Sequence, residues 1–256
     1  MMKKEESRFA ESTVFEGMTS IRAVLSADPS CNDRKIERIL FDRARAESRA
    51  KELSWLRYRA AELGFTVEET DAVTLDGMTT GQSHGGIVAV CSERTIPALP
   101  EKLPGDGFYA LLEGIEDPYN FGYAIRSLYA AGVSGIVLTP RNWMQAAGVV
   151  CRSSAGTSEL LPLYTAEPED IVQTFRSCGY KIVCAGIRNS VSAWDADLKK
   201  PLLLVVGGEK RGISRQMLNS ADLIVRLDYG RDFQGSLSAA SAASILGYEV
   251  LRQNRK

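Results

Sequence analysis

Histidine is nearly absent from this chain, with His84 its one example, and the five cysteines (Cys31, Cys91, Cys151, Cys178 and Cys184) form no CxxC pair. A single histidine leaves little from which to build a His-rich metal centre or a Ser-His-Asp triad. An odd number of scattered thiols argues against a disulfide framework or a zinc site and fits reduced, structural cysteines. No charge of one sign predominates: 31 Lys and Arg oppose 32 Asp and Glu, for a formal net charge of −1. Any nucleic-acid site must therefore be local. No apolar run approaches the roughly 20 residues of a membrane span. The opening Met1-Met2-Lys3-Lys4-Glu5-Glu6-Ser7 is charged and lacks the apolar core of a signal peptide. These absences predict a cytoplasmic protein with no membrane and no metal.

What is present is ordinary globular material, 256 residues long, 45% hydrophobic and 25% charged, enough for one large domain or two of usual size. Residues 1–12 are polar and read as frayed. A helix is expected over Thr19–Leu25, a strand over Ile36–Phe41 and a helix over Arg45–Leu63 that Gly64 ends. A strand over Phe65–Glu68, a helix over Asp71–Met78 and a strand over Gly86–Cys91 complete a small α/β domain, placed at 13–94. Within it, Arg34–Arg59 carries nine basic residues against four acids. That excess suits phosphates, and equally suits a solvated helix laced with ion pairs.

Residues 95–107 hold Pro97, Pro100, Pro104, Gly105 and Gly107 and read as a linker. Beyond it, 108–256 alternates strands (Phe108–Leu112, Gly135–Leu138, Leu160–Leu163, Lys181–Ala185, Leu202–Val206, Leu223–Leu227) with helices (Asn120–Ala131, Trp143–Cys151, Pro168–Ser177, Ser214–Asn219, Ser236–Gln253). Such βα alternation with β-branched runs predicts a mostly parallel sheet covered on both faces.

Three stretches could carry chemistry. Asp117-Pro118-x-Asn120-x-Gly122-x-x-x-Arg126 opens a helix after a strand, with Asn120 the expected N-cap and Ile125, Leu128 and Tyr129 the expected buried face. Arg126 beside that face suits an anion such as a phosphodiester, or a salt bridge to Asp117 or Glu116. Gly207-Gly208-Glu209-Lys210-Arg211-Gly212 follows an apolar strand but is neither GxGxxG nor a P-loop. Its glutamate would repel a pyrophosphate and better suits a hydroxyl-bearing or cationic ligand, and S-adenosylmethionine is both. The third stretch is the small-residue run Ser236-Leu237-Ser238 through Ala243.

Taken together these stretches resemble the SpoU/TrmH family of RNA ribose 2′-O-methyltransferases, in the SPOUT superfamily. They match its three motifs in order, and Ser153-Ser154-Ala155-Gly156 is similar to the loop between the first two. Glu16-Gly17 through Leu25 and Ser83-His84-Gly85-Gly86 resemble the two ends of the RNA-binding domain many members carry. The resemblance implies a ribosomal-protein-like first domain and a second, parallel-sheet domain with a trefoil knot that forms a homodimer. It implies methyl transfer from S-adenosyl-L-methionine to a ribose 2′-hydroxyl of rRNA or tRNA, without metal. The two-domain layout leans towards rRNA. By the same resemblance Asn120, Arg126, Glu209, Ser236 and Ser238 form the catalytic cluster. Gly207, Gly208, Gly212, Leu227 and Leu237 line the adenosyl pocket. The family's usual Ser-Leu-Asn is here Ser236-Leu237-Ser238, and its Ile-Pro-Met is here Leu227-Asp228-Tyr229. Asp228, Arg231 and Gln234 are candidate replacement polar groups. The departures leave an alternative, an RNA-binding protein that keeps the fold with weak or no turnover. A further alternative from residue patterns alone is an α/β enzyme of nucleotide metabolism.

Overall fold

The continuous apolar runs form strands, and these pair as two separate sheets. The computed structural model describes residues 13–79, 84–140 and 146–255. Trp143, the expected start of a helix, and Ser83, in the second end of the RNA-binding resemblance, lie outside them. By packing, one unit comprises Met1–Thr95 with Trp143–Leu160, and the other Ile96–Asn142 with Leu161–Lys256.

In chain order the first part holds β1 (Val14–Glu16), α1 (Gly17–Ser26), β2 (Ile36–Asp42), α2 (Ala50–Leu63), β3 (Thr66–Thr70), α3 (Ala72–Met78) and β4 (Ile87–Cys91). The sheet order is β1-β4-β2-β3, with β2 and β3 parallel and the other pairs antiparallel. Helix α2 buries Leu53, Leu56 and Ala60 at helical spacing and ends at Gly64, whose φ of +80° favours glycine. Its expected first turns differ: Arg43–Arg45 form a 3-10 turn and the α-helix begins at Ala50. Asp42 caps that turn by accepting from the Ala44 amide.

The second part holds β5 (Phe108–Glu113), α4 (Pro118–Ala130), β6 (Gly135–Leu138), α5 (Ala147–Ser153), α6 (Thr157–Leu160), β7 (Leu163–Thr165), α7 (Pro168–Ser177), β8 (Lys181–Ala185), β9 (Val191–Ser192), β10 (Leu202–Gly207), α8 (Arg215–Asn219), β11 (Leu223–Arg226) and α9 (Ala239–Gln253). Helices α5 and α6 pack in the first unit. Their small residues explain how: a Cβ on Gly148 would lie 1.9 Å from the Val14 carbonyl oxygen, and one on Gly156 2.5 Å from Ala23 Cβ. The Ser153–Gly156 loop is therefore accounted for by close packing.

Of the nine basic residues between 34 and 59, five are held in ion pairs: Arg34–Glu159, Arg45–Asp42, Arg49–Glu52, Arg57–Glu69 and Arg59–Glu62. Most of the local positive excess is thus spent within the fold. His84 is buried, its Nδ1 accepts from the Gly86 amide at 3.0 Å, and its Nε2 lies 2.9 Å from Asp76 Oδ1. An accepting Nδ1 requires the proton on Nε2, which donates to Asp76, so this ring holds the turn before β4.

The second unit's seven strands run β7-β6-β5-β10-β8-β11-β9, every pair parallel. Strands β5 and β10 sit centrally and are buried along almost their whole length. From β5 the chain first builds outward through β6 and β7, then crosses to the other side. The β5–β10 boundary is therefore a topological switch, where loops diverge and open a crevice. Beneath it, Tyr109, Phe175 and Tyr180 meet edge to face with centroids 5.2–5.7 Å apart. Helix α9 lies on α4: a Cβ on Gly247 would be 3.1 Å from Leu128 Cδ2, and Ser244 Oγ donates to Ser127 Oγ at 2.6 Å. The small face of α9, Ala240-Ser244-Gly247, is thus used inside the chain.

Candidate active site

The chemistry-bearing residues gather where β5 and β10 end. Asp117, not Asn120, caps α4: its side chain accepts from the Tyr119 amide, and Pro118 takes the first helical position. Asn120 therefore lies in the first turn, and its side chain is free for long-range use. Its Nδ2 donates to Glu209 Oε1 at 3.2 Å. The same oxygen accepts from the Ala239 amide, the first residue of α9, at 3.1 Å. One carboxylate thus joins the starts of two helices, and the positive end of α9 favours its charge.

The glycine loop has a different cause from the one its sequence suggested. Gly208 donates to the Glu113 carbonyl at 2.7 Å, and a Cβ there would lie 1.9 Å from the Gly114 carbonyl oxygen. A Cβ on Gly207 would lie 2.4 Å from the Gly212 carbonyl carbon. What approaches these glycines is the chain itself. Glu113, which sequence reasoning missed, accepts from the Ser214 amide at 2.9 Å through Oε2 and fixes the far side of the loop. An acidic residue at the carboxyl end of a central strand, facing a glycine loop, was the signal for it. Lys210 at the loop tip pairs with Glu116 at 2.6 Å.

Arg126 is exposed on α4 and has no ion-pair or hydrogen-bond partner among the described residues. It lies six residues, about 1.7 turns or roughly 9 Å of axial rise, beyond Asn120. Tyr129, expected on the buried face, is 41% exposed, because α9 covers the neighbouring stripe that carries Leu128 instead. Ser236 is exposed. Ser238 is the N-cap of α9: its Oγ accepts from the Ser241 amide at 3.2 Å and lies 3.0 Å from Ser241 Oγ. Its hydroxyl is committed to the helix.

Leu227 and Leu237 share one groove of about 580 Å³, walled also by Trp194, Tyr229, Ile245 and Tyr248, whereas Gly207, Gly208 and Gly212 do not line it. Asp228 borders the groove. It accepts from Ser192 Oγ and from Arg226 Nε, and these bonds, that of Ser192 foremost, hold its carboxyl below the usual carboxylate range. Gln234 donates to Asp232 at 2.9 Å. Of the three suggested replacement groups, Arg231 alone has no partner among the described residues.

This arrangement can be set against known proteins. The description "SpoU rRNA Methylase family" fits residues 107–248, and "RNA 2'-O ribose methyltransferase substrate binding" fits residues 15–97. The chain belongs to the SpoU methylase family. As a SpoU methylase it is an RNA 2′-O-methyltransferase with an amino-terminal substrate-binding segment. It is 29% identical to the 23S rRNA (guanosine-2'-O-)-methyltransferase RlmB of Shewanella oneidensis, over 99% of this chain and 100% of that one. It is 28% identical to the putative TrmH family tRNA/rRNA methyltransferase YacO of Bacillus subtilis, over 87% and 90% of the two chains. The crystal structure of an AdoMet-bound rRNA methyltransferase from Sinorhizobium meliloti shares the fold, with a TM-score of 0.78 at 22% identity over 99% of this chain and 90% of that one. Among the described residues of this SpoU methylase, no helix is long and apolar enough to cross a membrane.

Proposed function

We propose that this SpoU methylase transfers the methyl group of S-adenosyl-L-methionine to a ribose 2′-hydroxyl of structured RNA, with rRNA favoured over tRNA. The observation that carries the proposal is the Glu209 carboxylate, which ties Asn120 to the start of α9 at the switch point of the sheet. In the reaction a bond forms between the methyl carbon and the ribose oxygen as the sulfur–methyl bond breaks. The sulfur keeps the bonding pair, and the hydroxyl proton passes to solvent water. A ribose hydroxyl is a weak nucleophile, so the site must orient it and stabilise its developing negative charge. The Arg126 guanidinium, a donor only, holds the hydroxyl and an adjoining phosphate. Asn120 and Glu209 hold the walls of the site, and Ser236 and Ser238 border it at the start of α9.

The groove beside Leu227 and Leu237 is of ligand size and largely apolar, which suits an adenosyl group. Gly207, Gly208 and Gly212 shape the neighbouring loop, in which Gly207 packs on Gly212 and Gly208 on Gly114. Residues 13–94 bind RNA, 95–107 link and 108–256 carry catalysis. Tyr119 and Tyr123 remain exposed on α4, which supports a homodimer.

The test is incubation with tritiated S-adenosyl-L-methionine and protein-free rRNA or tRNA from cells lacking the protein. Label should enter one ribose of rRNA, and Arg126→Ala should slow its entry about 100-fold. Absence of cofactor binding by calorimetry would sink the proposal. The commitment of the Ser238 hydroxyl to the helix favours a second reading, an RNA-binding protein with little turnover. Cofactor binding without label in either RNA would favour that reading.

A further inference from the structure

The loop from β11 to α9 carries an aromatic pair, of which Tyr229 also walls the groove described above and Phe233 has no part in the reaction above. Tyr229 and Phe233 meet edge to face, with centroids 5.4 Å apart and planes at 67°. Both stay open to solvent, at 38% and 51% exposure. Loop geometry holds the pair in place. A Cβ at Gly235 would lie 2.6 Å from Phe233 Cζ, so a glycine there lets the backbone close over the edge of the ring. Gln234 is turned away to bond Asp232. The loop then runs into Ser236 and reaches Ala239, whose amide is bound by Glu209.

Exposed rings fixed in this way fit a flat apolar partner. The surrounding charge says which kind. Arg231, between the two rings in sequence, is exposed and without a partner among the described residues. Aromatic faces interleaved with unpaired guanidinium groups are the equipment that reads single-stranded nucleic acid, in which bases stack on rings and phosphates meet arginine. A methyltransferase acting on a 2′-hydroxyl must present that ribose in line, and unstacking a neighbouring base opens the way to it.

We propose that Tyr229 and Phe233 stack an unpaired nucleobase next to the target ribose, while Arg231 holds the phosphate beside it. The inference rests on the RNA-methyltransferase reading. Phe233 does not line the groove that holds Leu227 and Leu237, so its contribution separates from cofactor binding.

Phe233→Ala should raise the KM for protein-free rRNA by about 5- to 100-fold with little change in kcat. Its affinity for S-adenosyl-L-methionine by calorimetry should stay unchanged. Phe233→Tyr should restore the KM, since any aromatic face can stack. Arg231→Ala should reduce the slope of log affinity against log salt by about one phosphate contact. Stacking is read without turnover in Phe233→Trp: emission beyond that of the parent protein should be quenched by a 20-nucleotide oligoadenylate. Quenching in a protein that methylates no RNA would retain base stacking on these rings and overturn the catalytic reading, and with it the placement beside a target ribose. No quenching overturns this proposal whatever the catalytic result. An unchanged KM in Phe233→Ala overturns it too, as does loss of cofactor affinity in place of RNA affinity, which would mean that the ring shapes the adenosyl pocket.

Discussion

The two units each contain a cluster of charged side chains, and the clusters are built on opposite plans. In the first unit Glu159 is wholly buried. Its Oε2 accepts from Arg34 Nε and Asn32 Nδ2, each at 2.9 Å. Arg34 also donates to the Ser92 carbonyl at 2.7 Å and lies over the Phe15 ring at 4.7 Å. Arg94 reaches the Ser158 and Cys31 carbonyls at 2.7 and 2.9 Å. In the second unit Glu209 is exposed and Arg126 has no partner among the described residues. The first cluster is shut away from solvent and ties the fold together, although Glu159 Oε1 has no hydrogen-bond partner among the described residues. The second is left open, with a cation to spare. A charge indicates function when its surroundings leave it unsatisfied and within reach.

The sharpest way to break this contrast is to remove one partner from each cluster. Arg34→Ala would leave Glu159 buried without its ion-pair partner, which costs about 3–5 kcal/mol. Urea unfolding followed by circular dichroism should show that loss; a change under about 1 kcal/mol would mean that water relieves the charge and the cluster is not closed. Arg126→Ala should leave the unfolding midpoint where it is and lower methyl transfer to rRNA about 100-fold, equivalent to about 2.7 kcal/mol of barrier. Equal losses of stability and rate there would place Arg126 with the structural cluster. Glu209→Gln is the intermediate case, because the amide can still accept from Ala239 and loses only the charge. About 10-fold in rate and less than about 1 kcal/mol in stability are expected, measured by the same two assays.

How far the sequence could reveal this contrast depended on distance along the chain. Strands β5 and β10 were legible because burial on both faces demands uninterrupted apolar runs, Phe108–Leu112 and Leu202–Val206. The end of α2 was legible because Gly64 supplies a left-handed cap. Strand β1 was not: its three residues are strand only because β4 pairs with them. Strand β9, two residues long, is likewise held from outside, by pairing with β11 and by Arg226 donating to the Ser190 carbonyl. The expected strand over Leu160–Leu163 proved to be the end of α6 followed by β7, since Thr157–Leu160 turns to bring Glu159 to Arg34. Nothing local marks Glu159 as a buried ion, because its partner stands 125 residues earlier. At the site, Asn120, Arg126 and Glu209 were found through resemblance. The joint they make with the Ala239 amide is a tertiary fact without a local signature.

Ser238 offers the smallest effect and the finest discrimination. The family's asparagine at this place and the serine found here are both strong N-caps, so exchanging them should move stability by less than about 0.5 kcal/mol. The cap is real: Ser238 accepts from the Ser241 amide, and Ser238→Ala should cost about 1 kcal/mol in the same unfolding experiment. The start of α9 is also held independently, by Glu209 at Ala239, so residue 238 need not position the helix for catalysis. Methyl transfer by Ser238→Asn should therefore stay within about threefold of the parent rate, less than about 0.7 kcal/mol of barrier. A gain of 10-fold or more would show that the amide reaches the substrate and that the hydroxyl, turned back on its own helix, cannot. Residue 238 would then belong to the open cluster, and its serine would be what limits this enzyme.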